Sequence, residues 1–340
     1  MSSSQPIRAL EFYSGIGGLH YALLKSRPEA EVLKAFDWDP TSCQVYQANH
    51  GPIIYRKDIS ALKAAELADL NANIWLMSPA CQPYTVLNPD AKGAQDPRAL
   101  SFLHIVGFVL PELAKSDAHP RCILVENVAG FETSSTRQDL RATLKAIGYD
   151  TLELLLTPLQ YGIPNSRPRY YMLARRGGSH FPLENKVWRN IPDCKEDAQV
   201  VAIREYLDTD VDEASGVPEK VLKKWGRLFD IVKPSSARSC CFTRGYRHLV
   251  ERSGSILQEA EELDTTQVFD EFVSAGDVTV LQPLRLRYFT PSELLRIFAF
   301  DEPHFVWPPT VSTKTKYRLI GNSINVRVVQ ALITYLLEGV

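Results

Sequence analysis

Short apolar runs alternate with amphipathic stretches through the first half of the chain. The runs are rich in β-branched and aromatic residues and predict strands at 7–13, 32–38, 53–55, 74–77, 122–126 and 152–157. Helical periodicity fills three of the gaps, at 41–49, 100–113 and 136–147. Strands separated by helices form β-α-β units, so we expect an α/β fold with a mostly parallel sheet and helices on both faces. A last strand at 169–174 follows a loop too short for a helix, which predicts an antiparallel strand and an end to the sheet near residue 176.

The pattern changes after this sheet. Strands are hard to find between residues 177 and 284, where acidic and basic blocks alternate and one short helix is predicted at 218–232. Helical patterns return at 291–300 and 325–337, and the last of them is strongly apolar on one face. We therefore predict a catalytic domain at 1–176, a smaller lobe with an acidic linker at 177–284, and a return to the first domain at 285–340.

Composition narrows the class of protein. The chain has 340 residues, 45% of them hydrophobic and 23% charged, which is typical of a globular enzyme. No apolar run approaches the roughly 18 residues of a membrane span, and the first residues lack the apolar core of a secretory signal. Six cysteines without C-x-x-C spacing favour reduced thiols over a zinc site or a disulfide framework. We expect no metal, no membrane association and a cytoplasmic or nuclear location.

Charge is segregated along the second lobe. Residues 193–219 hold nine acidic and two basic side chains, whereas residues 220–252 hold nine basic and two acidic ones. Aromatic residues, among them Trp225, Phe242 and Tyr246, lie within the basic block. Such a block could follow phosphates and stack bases, or it could be an ordinary solvated face. The overall net charge of −2 excludes a uniformly basic protein.

A glycine-rich turn follows the first predicted strand. It reads Tyr13-Ser14-Gly15-Ile16-Gly17-Gly18, and glycines there let a ligand approach the backbone at a helix N-terminus. The dinucleotide fingerprint fails, because its third glycine would fall on His20, which favours a smaller adenosine ligand. Asp37 and Trp38 end the second strand and could bind a ribose and an adenine. Asp39 has a simpler explanation, because an aspartate before Pro40 is typical of a helix N-terminus.

Three kinds of reactive side chain follow later strands. Cys81 comes after the fourth strand, at the sheet edge where α/β folds bind ligands. An inert buried thiol is the usual role of a cysteine, but Glu126 ends the fifth strand, and Arg167 and Arg169 precede the antiparallel one. A thiol, a carboxyl and two guanidinium groups at one edge could hold and activate a nitrogenous ring.

These motifs resemble, in content and order, the cytosine-5 methyltransferases that use S-adenosylmethionine. The resemblance covers nearly the whole chain. It rests on the glycine turn, Asp37-Trp38, Asp58-Ile59, the Pro-x-Cys-Gln loop, Glu-Asn-Val at 126–128, the Arg-x-Arg segment and Gly321-Asn322-Ser323. Within that family, Cys241-Phe242-Thr243 is similar to the signature of the Dnmt2 group, the tRNA methyltransferases.

The resemblance implies a Rossmann-like methyltransferase fold with a target-recognition lobe, and a role for each motif. Cys81 would attack carbon 6 of cytosine, Glu126 would stabilise the adduct through ring nitrogen 3, and Arg167 and Arg169 would bind the carbonyl oxygen and hold the loop. S-adenosylmethionine, which leaves as S-adenosylhomocysteine, would be bound by Phe12, Ser14, Gly15, Gly17, Gly18, Asp37, Trp38, Asp58, Ile59, Pro79, Asn322 and Ser323. The target nucleotide would be bound by Cys241, Phe242, Thr243, Arg244, Tyr246 and Arg247.

The implied substrate is a cytosine in a tRNA anticodon loop, at position 38 of tRNA(Asp), and the implied enzyme is a monomer. One departure bears on activity: Ala80 stands directly before Cys81, where the family has proline. This change loosens the loop that aims the thiol. Two alternatives therefore stay open, a DNA cytosine-5 methyltransferase and a weakly active protein that binds S-adenosylmethionine and RNA.

Overall fold

A computed structural model describes residues 6–80, 99–177, 181–182, 186–194, 198–249 and 253–338. Its main element is an eight-stranded sheet of order β3-β2-β1-β4-β5-β7-β6-β8. The strands are β1 (Arg8–Phe12), β2 (Glu31–Asp37), β3 (Ile54–Arg56), β4 (Ile74–Met77), β5 (Cys122–Val128), β6 (Asp150–Leu156), β7 (Arg169–Arg175) and β8 (Val187–Trp188). Only β7 runs against its neighbours, β5 and β6. The prediction of a mostly parallel α/β sheet with one antiparallel strand is confirmed.

Helices cover both faces of this sheet. They are α1 (Gly18–Ser26), α2 (Pro40–His50), α3 (Ala64–Ala68), α4 (Leu100–His104), α5 (Leu110–Lys115) and α6 (Ser135–Ala146), with a π-helical turn, Ile105–Val109, joining α4 to α5. Apolar residues of α1 and α2 pack on one face, and those of α3 to α6 pack on the other. Because side chains alternate along a strand, Leu10 and Phe12 face the second group of helices while Ala9 and Glu11 face the first.

The sequence predicted that the sheet ends near residue 176, and the structure shows that it continues beyond that point. Strand β8 adds two residues beside β6, and a small second sheet follows with order β11-β10-β9. Its strands are β9 (Ile231–Val232), β10 (Ile256–Gln258) and β11 (Leu286–Arg287), and α7 (Glu219–Trp225) and α8 (Thr265–Ala275) flank it. Strands of two or three residues are too short for periodicity to reveal them.

The chain then returns to the large sheet through α9 (Pro291–Ile297), α10 (Thr313–Gly321) and α11 (Val326–Leu336). Helix α11 buries its apolar face, including Val329 and Leu332, and packs against α1. A hydrogen bond between the hydroxyls of Ser26 and Thr334 (2.8 Å) joins the two helices. Within the described residues, no helix has the length and apolar character needed to cross a membrane.

Candidate functional site

The glycine turn leaves bare backbone at the start of α1. Gly15 and Gly17 adopt positive φ angles of 54° and 85°, a region that favours glycine. A Cβ on Gly17 would lie 2.2 Å from Nε2 of His50, and one on Gly18 would lie 2.8 Å from Ile324. A Cβ on Gly15 would meet nothing within 4 Å, so the open space lies on the side of this turn away from the core.

Asp37 connects the turn to the end of β2. Its carboxylate accepts hydrogen bonds from the backbone N–H groups of Gly15 and Asp39, both at 2.8 Å. Burial raises the pKa of Asp37, and these two N–H groups oppose that rise. The neighbouring Trp38 is 74% exposed, so its indole is free to stack on a ligand.

Asp39 has the structural role that the sequence left open. It accepts the N–H groups of Thr41 and Ser42 and so begins α2, with Pro40 in the first turn. Its other oxygen pairs with Arg318 at 2.8 Å. The pKa of Asp39 is lowered: partial burial would raise it, but Arg318 and the capping N–H groups outweigh that effect.

Two further predicted ligand residues follow β3 and β4. Asp58 accepts the N–H of Ser60 at the start of a 3-10 turn in which Ile59 is buried. After β4, the carbonyl of Pro79 accepts the side-chain amide of Asn127 (3.3 Å), which joins the ends of β4 and β5. Cys81 lies outside the described residues.

Four of the predicted cofactor features thus lie at the carboxyl ends of four adjacent parallel strands. The glycine turn follows β1, Asp37 ends β2, Asp58 follows β3, and Pro79 follows β4. Ligands of α/β folds bind at this edge. The bare turn, the carboxylate and the exposed indole fit the methionine, ribose and adenine parts of S-adenosylmethionine.

A buried carboxyl and an arginine meet at the end of β5. Glu126 is 7% exposed, and its Oε1 lies 3.4 Å from Nε of Arg169. Burial raises the pKa of Glu126 even though Arg169 and Arg167 act to lower it. A carboxyl whose pKa is raised in this way is better suited than an exposed one to share a proton with a ring nitrogen.

The structure places Arg167 in one of its two expected roles, that of holding chain segments together. Its terminal nitrogens donate to the carbonyls of Phe242 (2.8 Å), Gly321 (3.0 Å) and Ser323 (2.6 Å), and the side chain is 3% exposed. These bonds commit Arg167 to holding chain segments together. Arg169 alone of the two forms an ion pair with Glu126 among the described residues.

The recognition segment, 241–247, also differs from its prediction. Phe242 and Tyr246 are buried at 0% and 2% exposure, in edge-to-face contact with each other and with Phe289 and Tyr317, so neither is available to stack on a base. Thr243 donates its backbone N–H to Ser253. The structure therefore gives the two aromatic side chains a role in the core of the lobe.

Cys241 lies between the two arginines. Its Sγ accepts from Nη1 of Arg167 at 3.3 Å and from Nη2 of Arg169 at 3.8 Å. Burial would raise the pKa of this thiol, but the two guanidinium groups lower it overall. Cys241 thus borders the Glu126–Arg169 pair.

The two basic residues of this segment have different environments. Arg244 is exposed and forms no hydrogen bond or ion pair within the described part of the chain. Arg247 adopts a φ of 70°, donates to the carbonyl of Ala214 and lies over the ring of Tyr288, 5.1 Å from its centroid. Of the two, Arg244 is the more exposed and has no partner within the described residues, whereas Arg247 is partly engaged in packing; a phosphate contact by either stays a prediction.

One buried polar cluster was not predicted. Glu11, on the helix-covered face of β1, accepts the hydroxyl of Tyr46 (2.8 Å), and that hydroxyl bonds Nδ1 of His20 (2.8 Å). His50 stacks on His20, with ring centroids 4.0 Å apart. Burial raises the pKa of Glu11 to about 8 and lowers that of His20 to about 4. An acidic residue inside an otherwise apolar strand was the signal that could have revealed this cluster.

Elsewhere in the described residues, no group of three or more His, Cys, Asp or Glu side chains could hold a metal ion. Part of the basic block contacts the acidic segment that follows it. Lys233 donates to the carbonyls of Glu261 and Leu263, and Gly226, which follows α7, packs on Phe269 of the acidic helix α8.

Comparison with known proteins gives one consistent family. The profile of C-5 cytosine-specific DNA methylases matches residues 7–338. A Schizosaccharomyces pombe protein named tRNA (cytosine(38)-C(5))-methyltransferase is 42% identical over 339 residues, covering 99% of both chains. A Dictyostelium discoideum protein named DNA (cytosine-5)-methyltransferase is 35% identical and covers 98% of this chain and 95% of its own.

The solved structure of S. pombe Dnmt2 methyltransferase superposes with a TM-score of 0.83 at 40% identity, covering 98% of this chain and 99% of its own. That likeness confirms the methyltransferase fold. The family match spans nearly the whole sequence, and within the described residues the glycine turn, Asp37, Asp58 and Glu126 lie at the carboxyl edge of the sheet. The chain belongs to the C-5 cytosine-specific methylase family and, within it, to the Dnmt2 group.

Proposed function

We propose that this protein transfers a methyl group from S-adenosylmethionine to carbon 5 of a cytosine in tRNA, at position 38 of tRNA(Asp). The observation that carries the chemistry is the buried Glu126 carboxyl beside Arg169. The pair lies at the sheet edge that also bears the glycine turn and Asp37. Support for tRNA comes from the name of the S. pombe relative, tRNA (cytosine(38)-C(5))-methyltransferase, which matches over 99% of both chains.

The cofactor would lie against the glycine turn. The glycine turn at the N-terminus of α1 suits its methionine carboxylate, Asp37 suits the ribose hydroxyls, and the exposed Trp38 suits the adenine ring. Bound there, S-adenosylmethionine supplies an electrophilic methyl group.

Carbon 5 of cytosine is a weak nucleophile, and the remaining residues would activate it. The Cys81 thiolate adds to carbon 6, which forms a C–S bond and makes carbon 5 electron-rich. Glu126, whose carboxyl pKa is raised by burial, would share a proton with ring nitrogen 3 and so stabilise the negative charge that develops there. After methyl transfer, carbon 5 loses its proton and the C–S bond breaks, which restores the ring and frees Cys81.

Arg169 would place the base. It approaches Glu126 from β7, and it would bind the carbonyl oxygen of the ring. Arg244, an exposed residue of the recognition segment, would contact a phosphate. An unpaired loop suits this arrangement, because extruding its cytosine costs less than opening a duplex.

A second candidate is methylation of DNA cytosine. The D. discoideum relative, 35% identical over 98% of this chain, is named for that activity. A third is an RNA-binding protein with weak activity, suggested by Ala80 in place of the family's proline.

Bisulfite sequencing tests the proposal. Total tRNA is incubated with the protein and S-adenosylmethionine, with the Cys81→Ala variant as the matched control. We expect protected cytosine at position 38 of tRNA(Asp) with the parent protein only. Protection at no tRNA cytosine would refute the proposal, and protection at another position would refute its site.

A further inference from the structure

The end of α10 touches the backbone of the recognition segment directly. A Cβ placed on Gly321 would lie 2.2 Å from the carbonyl carbon of Thr243 and 2.4 Å from the backbone nitrogen of Arg244. Such distances are far inside van der Waals contact, so only glycine permits the approach. The position of 243–244 is therefore set by the backbone of Gly321.

The residues that follow Gly321 contact the glycine turn of residues 13–18, named here the cofactor turn. A Cβ on Gly18 would lie 2.8 Å from Ile324 and 3.1 Å from Oγ of Ser323. Gly18 is the last residue of this turn and the first residue of α1. Residues 321–324, named here the bridge segment, thus lie between the cofactor turn and the recognition segment and contact both.

Arg167 fastens this arrangement. One terminal nitrogen donates to Phe242 (2.8 Å), and the other donates to Gly321 (3.0 Å) and Ser323 (2.6 Å). The guanidinium also lies 4.8 Å from the ring centroid of Phe298. A single buried cation therefore holds the recognition segment to the bridge segment through charge-assisted hydrogen bonds.

We propose that Arg167 and Gly321 couple the two binding sites, so that a ligand on the cofactor turn raises the affinity of the protein for tRNA. This inference rests on the proposed function. A ligand that favours one position of the turn also favours one position of the bridge segment and, through it, of the recognition segment, because the three segments are in direct contact. The conformation that binds tRNA is then more populated before the tRNA arrives. Coupling of this kind typically changes an affinity by 5-fold or more.

The experiment measures a ratio of dissociation constants. The Kd of unmodified tRNA(Asp) transcript is determined by fluorescence anisotropy without and with saturating S-adenosylhomocysteine, which prevents turnover. The parent protein is compared with Gly321→Ala and Arg167→Lys. Gly107→Ala is the matched control, because Gly107 is exposed, its φ is not positive and a Cβ there would meet nothing within 4 Å.

We expect S-adenosylhomocysteine to lower the Kd for tRNA by about 5-fold or more in the parent and in Gly107→Ala. In Gly321→Ala and Arg167→Lys this factor should fall below about 2, because the new methyl group forces the segments apart and lysine cannot reach three carbonyls at once. By linkage, tRNA must lower the Kd of S-adenosylhomocysteine by the same factor as measured by calorimetry. A residue that only stabilised the fold would leave this ratio unchanged.

A parent ratio near 1, with tRNA bound and methylated, would overturn the coupling and leave the proposed function intact. An undiminished ratio in either folded variant would overturn the role of that residue. Circular dichroism establishes folding, and if Gly321→Ala fails to fold, Arg167→Lys, which keeps the charge, decides the outcome. Absence of tRNA binding under all conditions would refute the proposed function and the coupling together.

Discussion

Glu126 and Arg169 are diagonal neighbours across an antiparallel pair of strands. In the register of β5 and β7, Arg169 lies opposite Val128, and Val128 and Glu126 share one face of β5. This register brings Nε of Arg169 to 3.4 Å from Oε1 of Glu126. A parallel β7 would start at the opposite edge of the sheet, so the single antiparallel strand is what brings this arginine to the carboxyl of Glu126.

Glu126→Gln should lower the single-turnover rate of tRNA methylation by about 10²-fold or more, since glutamine cannot transfer a proton to ring nitrogen 3. The Kd for tRNA should change by less than about 3-fold, because the amide keeps the size of the side chain. Single-turnover assays that are quenched at successive times, with saturating S-adenosylmethionine, give the rate of methyl transfer. Fluorescence anisotropy gives the Kd for tRNA. A rate within 5-fold of the parent would exclude Glu126 from the chemistry.

Asp37→Ala should weaken the binding of S-adenosylhomocysteine by about 1.5–3 kcal/mol, which is about 10- to 150-fold in Kd, because charge-assisted hydrogen bonds are lost. The variant also loses the two N–H bonds that fix the turn. Isothermal titration calorimetry measures the affinity, with Asp69→Ala at an exposed position as the control. Equal affinity in the parent and both variants would move the cofactor site elsewhere.

Arg244 and Arg247 form a matched pair with opposite expected effects. Arg244→Ala should weaken tRNA binding and lower the slope of log Kd against log salt concentration by about 0.7–0.9, the effect of one lost phosphate contact. Arg247→Ala should instead lower the melting temperature by about 1–3 °C, because it loses its contacts with Ala214 and Tyr288. The reverse pattern would mean that Arg247 is the residue that binds RNA.

Glu11 makes stability depend on pH. The folded protein holds the Glu11 proton up to a pKa of about 8, whereas an unfolded glutamate loses it near 4.5. The stabilisation is therefore complete below pH 4.5 and is lost as the pH rises towards 8. Glu11→Gln removes this loss, so its melting temperature minus that of the parent should increase with pH.

One proton of difference is worth about 1.4 kcal/mol per pH unit, which for a chain of this size is about 2 °C per pH unit between about pH 5 and 8. Differential scanning calorimetry measures both proteins across this range. Glu29→Gln, at an exposed position, is the control for the loss of one carboxyl group. A difference for Glu11→Gln that does not vary with pH would show that Glu11 is ionised in the folded protein.

The large sheet could be predicted because its strands carry unbroken apolar patterns, as in residues 74–77 and 122–126. The antiparallel strand followed from loop length alone. Strands β8 to β11 could not be predicted, because two or three residues carry no periodicity and their pairing depends on distant segments.

The site was predictable where a motif follows a strand directly. Gly15 and Asp37 meet because β1 and β2 are neighbours. The environments of Phe242 and Tyr246 were not predictable, because their burial depends on Phe289 and Tyr317, more than 40 residues away in sequence. Charge and aromatic content indicate an RNA surface only when tertiary packing leaves the side chains exposed.

The central claim is that RNA is the substrate, and a direct competition tests it. Folded tRNA(Asp) and duplex DNA of similar length, at equal cytosine concentration, share one reaction with the parent protein and labelled S-adenosylmethionine, and Cys81→Ala gives the background. Because extruding a base from a duplex costs a few kcal/mol more than from a loop, label in tRNA should exceed label in DNA by at least roughly 100-fold. Equal labelling of the two would contradict the account and favour a DNA methyltransferase.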